Sequence, residues 1–342
     1  MSGRRLRLGR LGGAPGGEFD RLRGIFARLG PRARDLGDDC ALIRVGRTML
    51  ALSIDLSLEG VHFRTDWLSF GEIGWRAAAA ALSDLAAEGA EPIGVLVSVG
   101  VPPITGKRGI NGKRERGNGK RVRGSADPAV EIMAGVGAAA KSVEAAVLGG
   151  DLVRADHYVV DVCVIGWTRR PVRRTGARPG QGLWITGALG GAALALAQLR
   201  KGRKPVAVLF RRFARPEPRI AAGRWLADRG AVAMIDVSDG LAADARHLAA
   251  ASRVRLDIEL ERVPCWPGVS PRAAAASGEE FELLAVLPQS FGDAAARAFR
   301  RATGLALTRI GGCARGAGVR LTEAGRPVAA PPGFDHFAGP AR

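Results

Sequence analysis

Cysteine is scarce in this chain and never paired at short spacing. Cys40, Cys163, Cys265 and Cys313 lie far apart with no CxxC pair, and His62, His157, His247 and His336 are equally dispersed. Zinc sites of the usual spacing are thereby excluded, and reduced thiols in a cytoplasmic protein are the simplest expectation. No uninterrupted apolar stretch reaches the ~18 residues needed to span a bilayer. The N-terminal arginines precede no apolar segment of a secretory signal. A soluble protein is expected, with no membrane partner. The common phosphate loop is missing too: the Gly-Lys pairs starting at 106, 112 and 119 are each followed by Arg, and none has a glycine five positions earlier. Protein-kinase signatures are also absent.

Negative charge is in short supply. Lys and Arg number 51 against 33 Asp and Glu, a formal net charge of +18. Much of the excess is local, with four arginines in residues 1–10 and eight basic residues against one acid in residues 104–124. The 104–124 segment has few apolar residues and many Gly and Asn, so it cannot bury enough surface to offset its ordering entropy. It is expected to be a flexible basic insertion. Such tracts can bind polyanions, but this one lacks the aromatics on which single-strand binders stack bases. A solvated insertion is the favoured reading, and nucleic acid is not an expected partner.

With 342 residues and 47% hydrophobic content, the chain can bury one large or two medium cores. Strand-like runs alternate with helix-like ones. Met49–Ile54, Ile93–Val101, Ala145–Leu148 and Tyr158–Ile165 read as strands. Residues 72–88 read as a helix closed by Gly89, and Asp127-Pro128 opens another that runs to about Ser142. After Thr168 the composition turns to Arg-Arg-Pro and Arg-Arg-Thr-Gly, a plausible crossing. Beyond it, strands are expected at Leu183–Thr186, Val232–Ile235, Leu256–Leu260 and Phe281–Leu287, and helices near 191–200, 217–229, 240–251 and 290–302. Two mixed lobes, 1–168 and 169–342, are expected, each α/β or α+β.

Against this background stand six short acidic clusters: Gly37-Asp38-Asp39, Ser53-Ile54-Asp55, Ser83-Asp84-Leu85, Gly149-Gly150-Asp151, Asp236-Val237-Ser238-Asp239-Gly240 and Gly278-Glu279-Glu280. Most follow an apolar run that stops at a small residue, so the carboxylates are expected at strand ends or tight turns. Gathered at one mouth they would raise each other's pKa. A hard cation is needed to neutralise them, oxygen ligands point to magnesium, and magnesium on aspartates normally serves phosphate. Plainer roles stay open for each residue alone. Asp39 and Asp84 suit turns or helix caps, Asp236 and Asp239 suit the start of a helix near Gly240, His62 could be a satisfied half-buried histidine, and Phe334 could be core.

The clusters, taken in order, resemble the thiamine-monophosphate kinase family. The resemblance runs through Gly37-Asp38-Asp39-Cys40-Ala41, Ser53-Ile54-Asp55, Leu82-Ser83-Asp84-Leu85-Ala86-Ala87 and Leu148-Gly149-Gly150-Asp151. It continues through Arg174-Thr175-Gly176, Asp236-Val237-Ser238-Asp239-Gly240-Leu241, Gly278-Glu279-Glu280-Phe281 and Gly333-Phe334-Asp335-His336-Phe337. That family belongs to the ATP-using superfamily of aminoimidazole ribonucleotide synthetase. The resemblance implies a two-lobed fold, an N-terminal lobe that dimerises into a β-barrel and a C-terminal α/β lobe. It implies a homodimer that phosphorylates thiamine monophosphate to thiamine diphosphate, with ATP as co-substrate and Mg²⁺ as cofactor. By position it implies metal binding at Asp39, Ser53, Ile54, Asp55, Asp84, Asp151, Asp236 and Asp239. Nucleotide contacts fall at Gly150, Asp151, Arg174 and Ser238, and the thiamine phosphate at His62, Glu279 and Phe334.

The chain departs from the family pattern in places. Leu152-Val153 replace two threonines after Gly-Gly-Asp, Ile54 replaces the threonine of Ser-Thr-Asp, and Glu280-Phe281 replace Asp-Tyr. No main carboxylate is lost. Two rival readings accompany this one. The first is another superfamily member acting on a different phosphorylated or amide acceptor. The second is a catalytically weak RNA-associated protein using the basic loop.

Overall fold

The computed structural model describes residues 17–33, 36–103, 127–334 and 336–337. The expected 104–124 insertion and the arginines of residues 1–10 lie outside the described residues. The first part of the chain forms a five-stranded sheet from β1 (Ala41–Val45), β2 (Thr48–Leu58), β3 (Glu91–Val101), β4 (Ala146–Arg154) and β5 (Val159–Thr168). Its order is β1-β2-β5-β3-β4, antiparallel except for the β3–β4 pair. Helices α1 (Glu18–Leu29), α2 (Phe70–Ala87) and α3 (Pro128–Ser142) accompany it. Asp127 caps α3 through the Ala129 N–H with Pro128 at the first position, as the Asp-Pro pair predicts.

Seven further strands form the second sheet: β6 (Gly182–Thr186), β7 (Ala233–Asp236), β8 (Arg255–Glu259), β9 (Leu283–Leu287), β10 (Leu307–Ala314), β11 (Gly318–Glu323) and β12 (Arg326–Val328). They run in the order β12-β11-β8-β10-β6-β9-β7. Helices α4 (Gly191–Arg200), α5 (Ala207–Ala214), α6 (Ile220–Asp228), α7 (Leu241–Ser252), α8 (Pro271–Ala275) and α9 (Asp293–Thr303) pack around it. The sequence reading leaves α1, α5, α8, β1, β10, β11 and β12 unmarked.

Helix α2 is the centre of the molecule. A Ser69/Glu72 capping box starts it, and Gly89, with φ +64°, follows its end. Its alanines, Ala77 to Ala79 and Ala81 among them, are buried and bulk-free, so neighbouring backbones come very close. Gly223 of α6 is one such neighbour: a Cβ there would lie 1.9 Å from the Ala86 carbonyl oxygen. Helix α6 belongs to the second sheet's layer, so this contact docks the two lobes. Gly223→Ala is expected to cost about 1–3 kcal/mol, read as a lowered denaturation midpoint; an unchanged midpoint would mean the lobes dock without that contact.

Two expectations need correction. Met49–Ile54 does not end at Asp55, because β2 stays paired to β5 as far as Leu58↔Val159, so Asp55 lies within the strand. Asp151 likewise lies inside β4, opposite Ser98, whereas Asp84 lies inside α2, in the helix read over residues 72–88. Regular pairing continued past the apolar run, and a side chain within a strand or helix can reach a site as well as one at its end.

Candidate functional site

Arg76, Ser83 and Asp84 of α2, with Glu88 at its C-cap, form a polar stripe along a helix otherwise almost wholly apolar. Oxygen atoms of Asp39, Asp84 and Asp236 all lie within 4.8 Å of one another. Asp39 arrives from the turn before β1, Asp84 from α2 and Asp236 from the end of β7. Ser83 Oγ donates to Asp236 at 2.7 Å across 153 residues of chain. Ser53 Oγ, on the inward face of β2, donates to Asp84 at 2.5 Å.

Burial, and then the neighbouring Asp236 and Asp39, push the Asp84 carboxyl well above the usual range, with the Ser53 hydroxyl giving partial relief. Burial and Asp39 raise Asp236 as well, against relief from Ser83. Three converging carboxylates, all oxygen donors, fit a hard divalent cation of the magnesium type. Asp55 stands half-buried outside the tight trio, raised by burial and by Asp161, while the Arg76 charge lowers it. Asp239 is beside the trio, in a second group with Asp244 and His247. Its backbone N–H donates to Asp244 Oδ2, and the N-cap of α7 is Gly240 with no side-chain cap, so neither Asp236 nor Asp239 serves as the cap.

Arg174 closes the other side. Its Nη2 and Nε bond Asp39 at 2.8 and 3.2 Å, while its own N–H donates to Asp38 at 2.7 Å and its carbonyl accepts from Ser252. A planar guanidinium suits this two-point grip and equally suits phosphate. Gly150 lies on β4 where a Cβ would meet the Val97 carbonyl oxygen at 1.8 Å, so nothing larger fits. Asp151 is exposed, bonded by the Leu152 N–H and apart from the trio. Ile54, 67% exposed, points to the sheet face opposite Ser53 and Asp55. Its side chain is therefore remote from the trio, and the hydroxyl missing at this position is not missing from the carboxylate cluster.

The acceptor-end residues also meet. His62 and Glu279, with Phe63, Trp67 and Phe213, line a cavity of about 450 Å³. His62 Nδ1 accepts the Leu58 N–H at 3.0 Å; burial and the nearby His336 hold its pKa low. His336 sits between His62 (ring centroids 5.1 Å apart, tilted) and Phe334 (4.8 Å, edge-on), so Phe334, which is exposed, is not core.

Glu279 and Phe281 both adopt left-handed φ, +60° and +51°. Such strain costs ~1–3 kcal/mol for each residue and persists only where neighbours enforce it. Here the Glu279 and Phe281 N–H groups bond the Ser238 and Val237 carbonyls, tying this turn to the Asp236–Gly240 turn. Between them, buried Glu280 accepts the Gly190 and Ala192 N–H groups at 2.9 and 3.1 Å, and Glu282 is gripped by Arg212 and Arg219, each at 2.7 Å. Burial alone would raise Glu282, but the two arginines hold it below the usual range.

Sequence reasoning missed Arg76. It is 5% exposed, pairs with Glu279 Oε1, donates to the Phe213 carbonyl and lies 4.3 Å over the Phe213 ring. A single arginine between Glu72 and Asp84 in an Ala-rich helix was the available signal.

Comparisons with known proteins agree with this arrangement. Residues 37–168 match the family of AIR synthase related proteins through its N-terminal domain, and residues 178–323 through its C-terminal domain. The chain is 35% identical over 254 residues to the thiamine-monophosphate kinase of Mycobacterium tuberculosis (strain CDC 1551 / Oshkosh), covering 74% of this chain and 69% of that one. It is 33% identical over 340 residues to the Caulobacter vibrioides thiamine-monophosphate kinase, covering 92% and 89%. The solved structure of AaThiL complexed with AMPPCP and TMP superposes with a TM-score of 0.78 at 28% identity, covering 94% of this chain and 97% of that one.

Proposed function

We propose, for a chain that belongs to the thiamine-monophosphate kinase family of AIR synthase related proteins, a magnesium-assisted, in-line route to its product. It is a kinase that phosphorylates thiamine monophosphate with ATP to give thiamine diphosphate. The observation that carries the route is the trio Asp39/Asp84/Asp236 beside Arg174, with the His62/Glu279 cavity next to it.

Asp39, Asp84 and Asp236 would hold magnesium, with Asp55, Asp151, Asp239, Ser53 and the backbone at Ile54 as further contributors. Bound there, the metal supplies charge neutralisation for phosphates held in line. Arg174, Ser238 and Gly150 would receive the nucleotide, and His62, Glu279 and Phe334 the thiamine phosphate. A phosphate acceptor is already ionised near neutral pH, so these residues need only position and exclude water, and no general base is required. The test is thiamine diphosphate formation from purified protein, ATP and thiamine monophosphate, with and without Mg²⁺. Product without added metal in the presence of a chelator would sink the magnesium assignment.

The same reading includes a lobe division at residues 168 and 169, near the end of β5, and cytoplasmic residence, in keeping with four free cysteines. No described helix is long and apolar enough to cross a membrane. It also includes a homodimer. Ile43, Val45, Ile54, Leu56 and Leu96 are exposed on one face of the first sheet, and apolar surface on that scale marks an interface. A second copy's sheet laid over it would complete a β-barrel. Leu56→Lys, whose new charge would face Asp161 across the β2–β5 ladder, is expected to convert a dimer to a monomer in light scattering. A dimer that persists would place the interface elsewhere.

A further inference from the structure

Helix α2 buries an arginine where every packing consideration favours an apolar residue. A buried cation is costly unless it is paired and hydrogen-bonded. Arg76 is both, and its partners come from separate parts of the chain: the Glu279 carboxylate, the Phe213 carbonyl and the Phe213 ring. Glu279 and Phe213 are also walls of the acceptor cavity, with His62 and Trp67. Arg76 takes Glu279 at Oε1 only. Among the described residues none bonds Oε2, and the Glu279 side chain keeps 32% of its surface exposed at the cavity. The strained left-handed backbone at Glu279 is held by the Ser238 carbonyl, so the main chain fixes where this side chain starts and Arg76 fixes where it ends.

We propose that Arg76 is a positioning residue of the acceptor pocket: by holding Glu279 Oε1 it turns Oε2 into the cavity as the acceptor for an N–H group or ring cation of the substrate. The pocket then selects phosphomonoesters of a cationic, amine-bearing heterocycle over simple phosphomonoesters. This rests on the acceptor reading given above and deepens it, because it names the residue that makes Glu279 selective.

The experiment compares full-length wild type, Arg76→Met, Arg76→Lys, Glu279→Gln and the Arg76→Met/Glu279→Gln double variant. It measures KM for thiamine monophosphate, KM for ATP, magnesium activation and melting temperature. Arg76→Met is expected to raise the acceptor KM about 10–100-fold, the scale of one charge-assisted hydrogen bond, with the ATP KM and magnesium activation within about twofold. Arg76→Lys recovers part of the loss, since it keeps the charge and can reach only one partner at a time. The double variant is no worse than the poorer single variant, because both changes remove one interaction.

An unchanged acceptor KM in Arg76→Met overturns the proposal. So do losses that multiply in the double variant, or a fall in melting temperature accompanied by equal rises in both KM values, which would make Arg76 only a prop between lobes. Should Arg76→Met fail to fold, Arg76→Lys and Glu279→Gln decide it by the same split. Wild-type turnover tests the acceptor reading by itself. If the wild type makes no thiamine diphosphate, calorimetric binding of thiamine monophosphate decides Arg76: weaker binding by Arg76→Met or Arg76→Lys than by wild type supports it, and equal binding overturns it.

Discussion

Asp84→Asn is expected to lower turnover by about 10²–10³-fold, the scale on which one preorganised charge-stabilising group acts, and to make the metal-free protein more stable. Both effects have one cause. Asp84 is half-buried, and Asp236, Asp39 and Asp55 all bear on it electrostatically. An acid whose folded pKa lies above its unfolded value favours folding at low pH and loses that advantage as pH rises. At pH 8 with a chelator present, the folded protein therefore holds a repulsive cluster, which Asn relieves while still accepting from Ser53. The gain should shrink towards pH 4, where the folded carboxyl is protonated and the unfolded one is close to its ordinary value of 3.8. Magnesium should reverse the order, stabilising the wild type more than the variant, because the native cluster binds the cation more tightly. Melting temperatures at pH 8 and pH 4, each with chelator, and at pH 8 with magnesium, together with kcat, check the whole pattern. A variant that loses turnover with no gain of stability in chelator would mean that the carboxylates do not repel, and would remove the electrostatic basis of the site.

Replacing Glu88 with Met should stabilise the protein by several kcal/mol without removing any proposed ligand. Glu88 ends the polar stripe of α2 at 0% exposure, and both carboxylate oxygens lack a hydrogen-bond partner. The Arg173 charge and, more weakly, the Cys40 N–H give only partial relief. Burial, followed by Asp38 and Asp39, pushes its pKa from an ordinary 4.5 up to about 10. The folded state therefore gains nothing from ionisation: its stability relative to the Met variant is best below about pH 4.5 and declines as pH climbs towards 10. At pH 8 the cost is on the order of 3–5 kcal/mol, or roughly 5–10 °C in melting temperature. Scans of Glu88→Met and wild type at pH 5 and pH 8, both with chelator, should diverge as pH rises. A difference independent of pH would show that Glu88 is not buried as an acid.

Much of the site was legible before any tertiary information, because it is written in short local motifs. Asp39, Asp84 and Asp236 stand out as carboxylates beside small residues, and their family order identified them as a set. The capping of α3 by Asp127-Pro128 and the end of α2 at Gly89 were equally readable, since caps depend on neighbouring residues alone. Asp55 and Asp151 were placed wrongly, at strand ends, because strand length depends on partners far away in the chain. Arg76 and Glu88 were passed over for a related reason. In a one-dimensional reading, a charged residue in an Ala-rich helix faces solvent, and only the packing of α3, α5 and α6 around α2 leaves it nowhere to do so.

The sequence by itself determined which chemistry this protein could carry: oxygen ligands in excess, no lysine phosphate loop, and a family whose substrates are phosphates. Tertiary structure alone decided which carboxylates converge, that Arg174 grips Asp39, that Ile54 turns away, and that Arg76 reaches across the lobe interface to Glu279. The division follows from range. Residue chemistry and turn preference act over a few positions, whereas burial, charge coupling and hydrogen bonds such as Ser83 to Asp236 act between residues that only folding brings together.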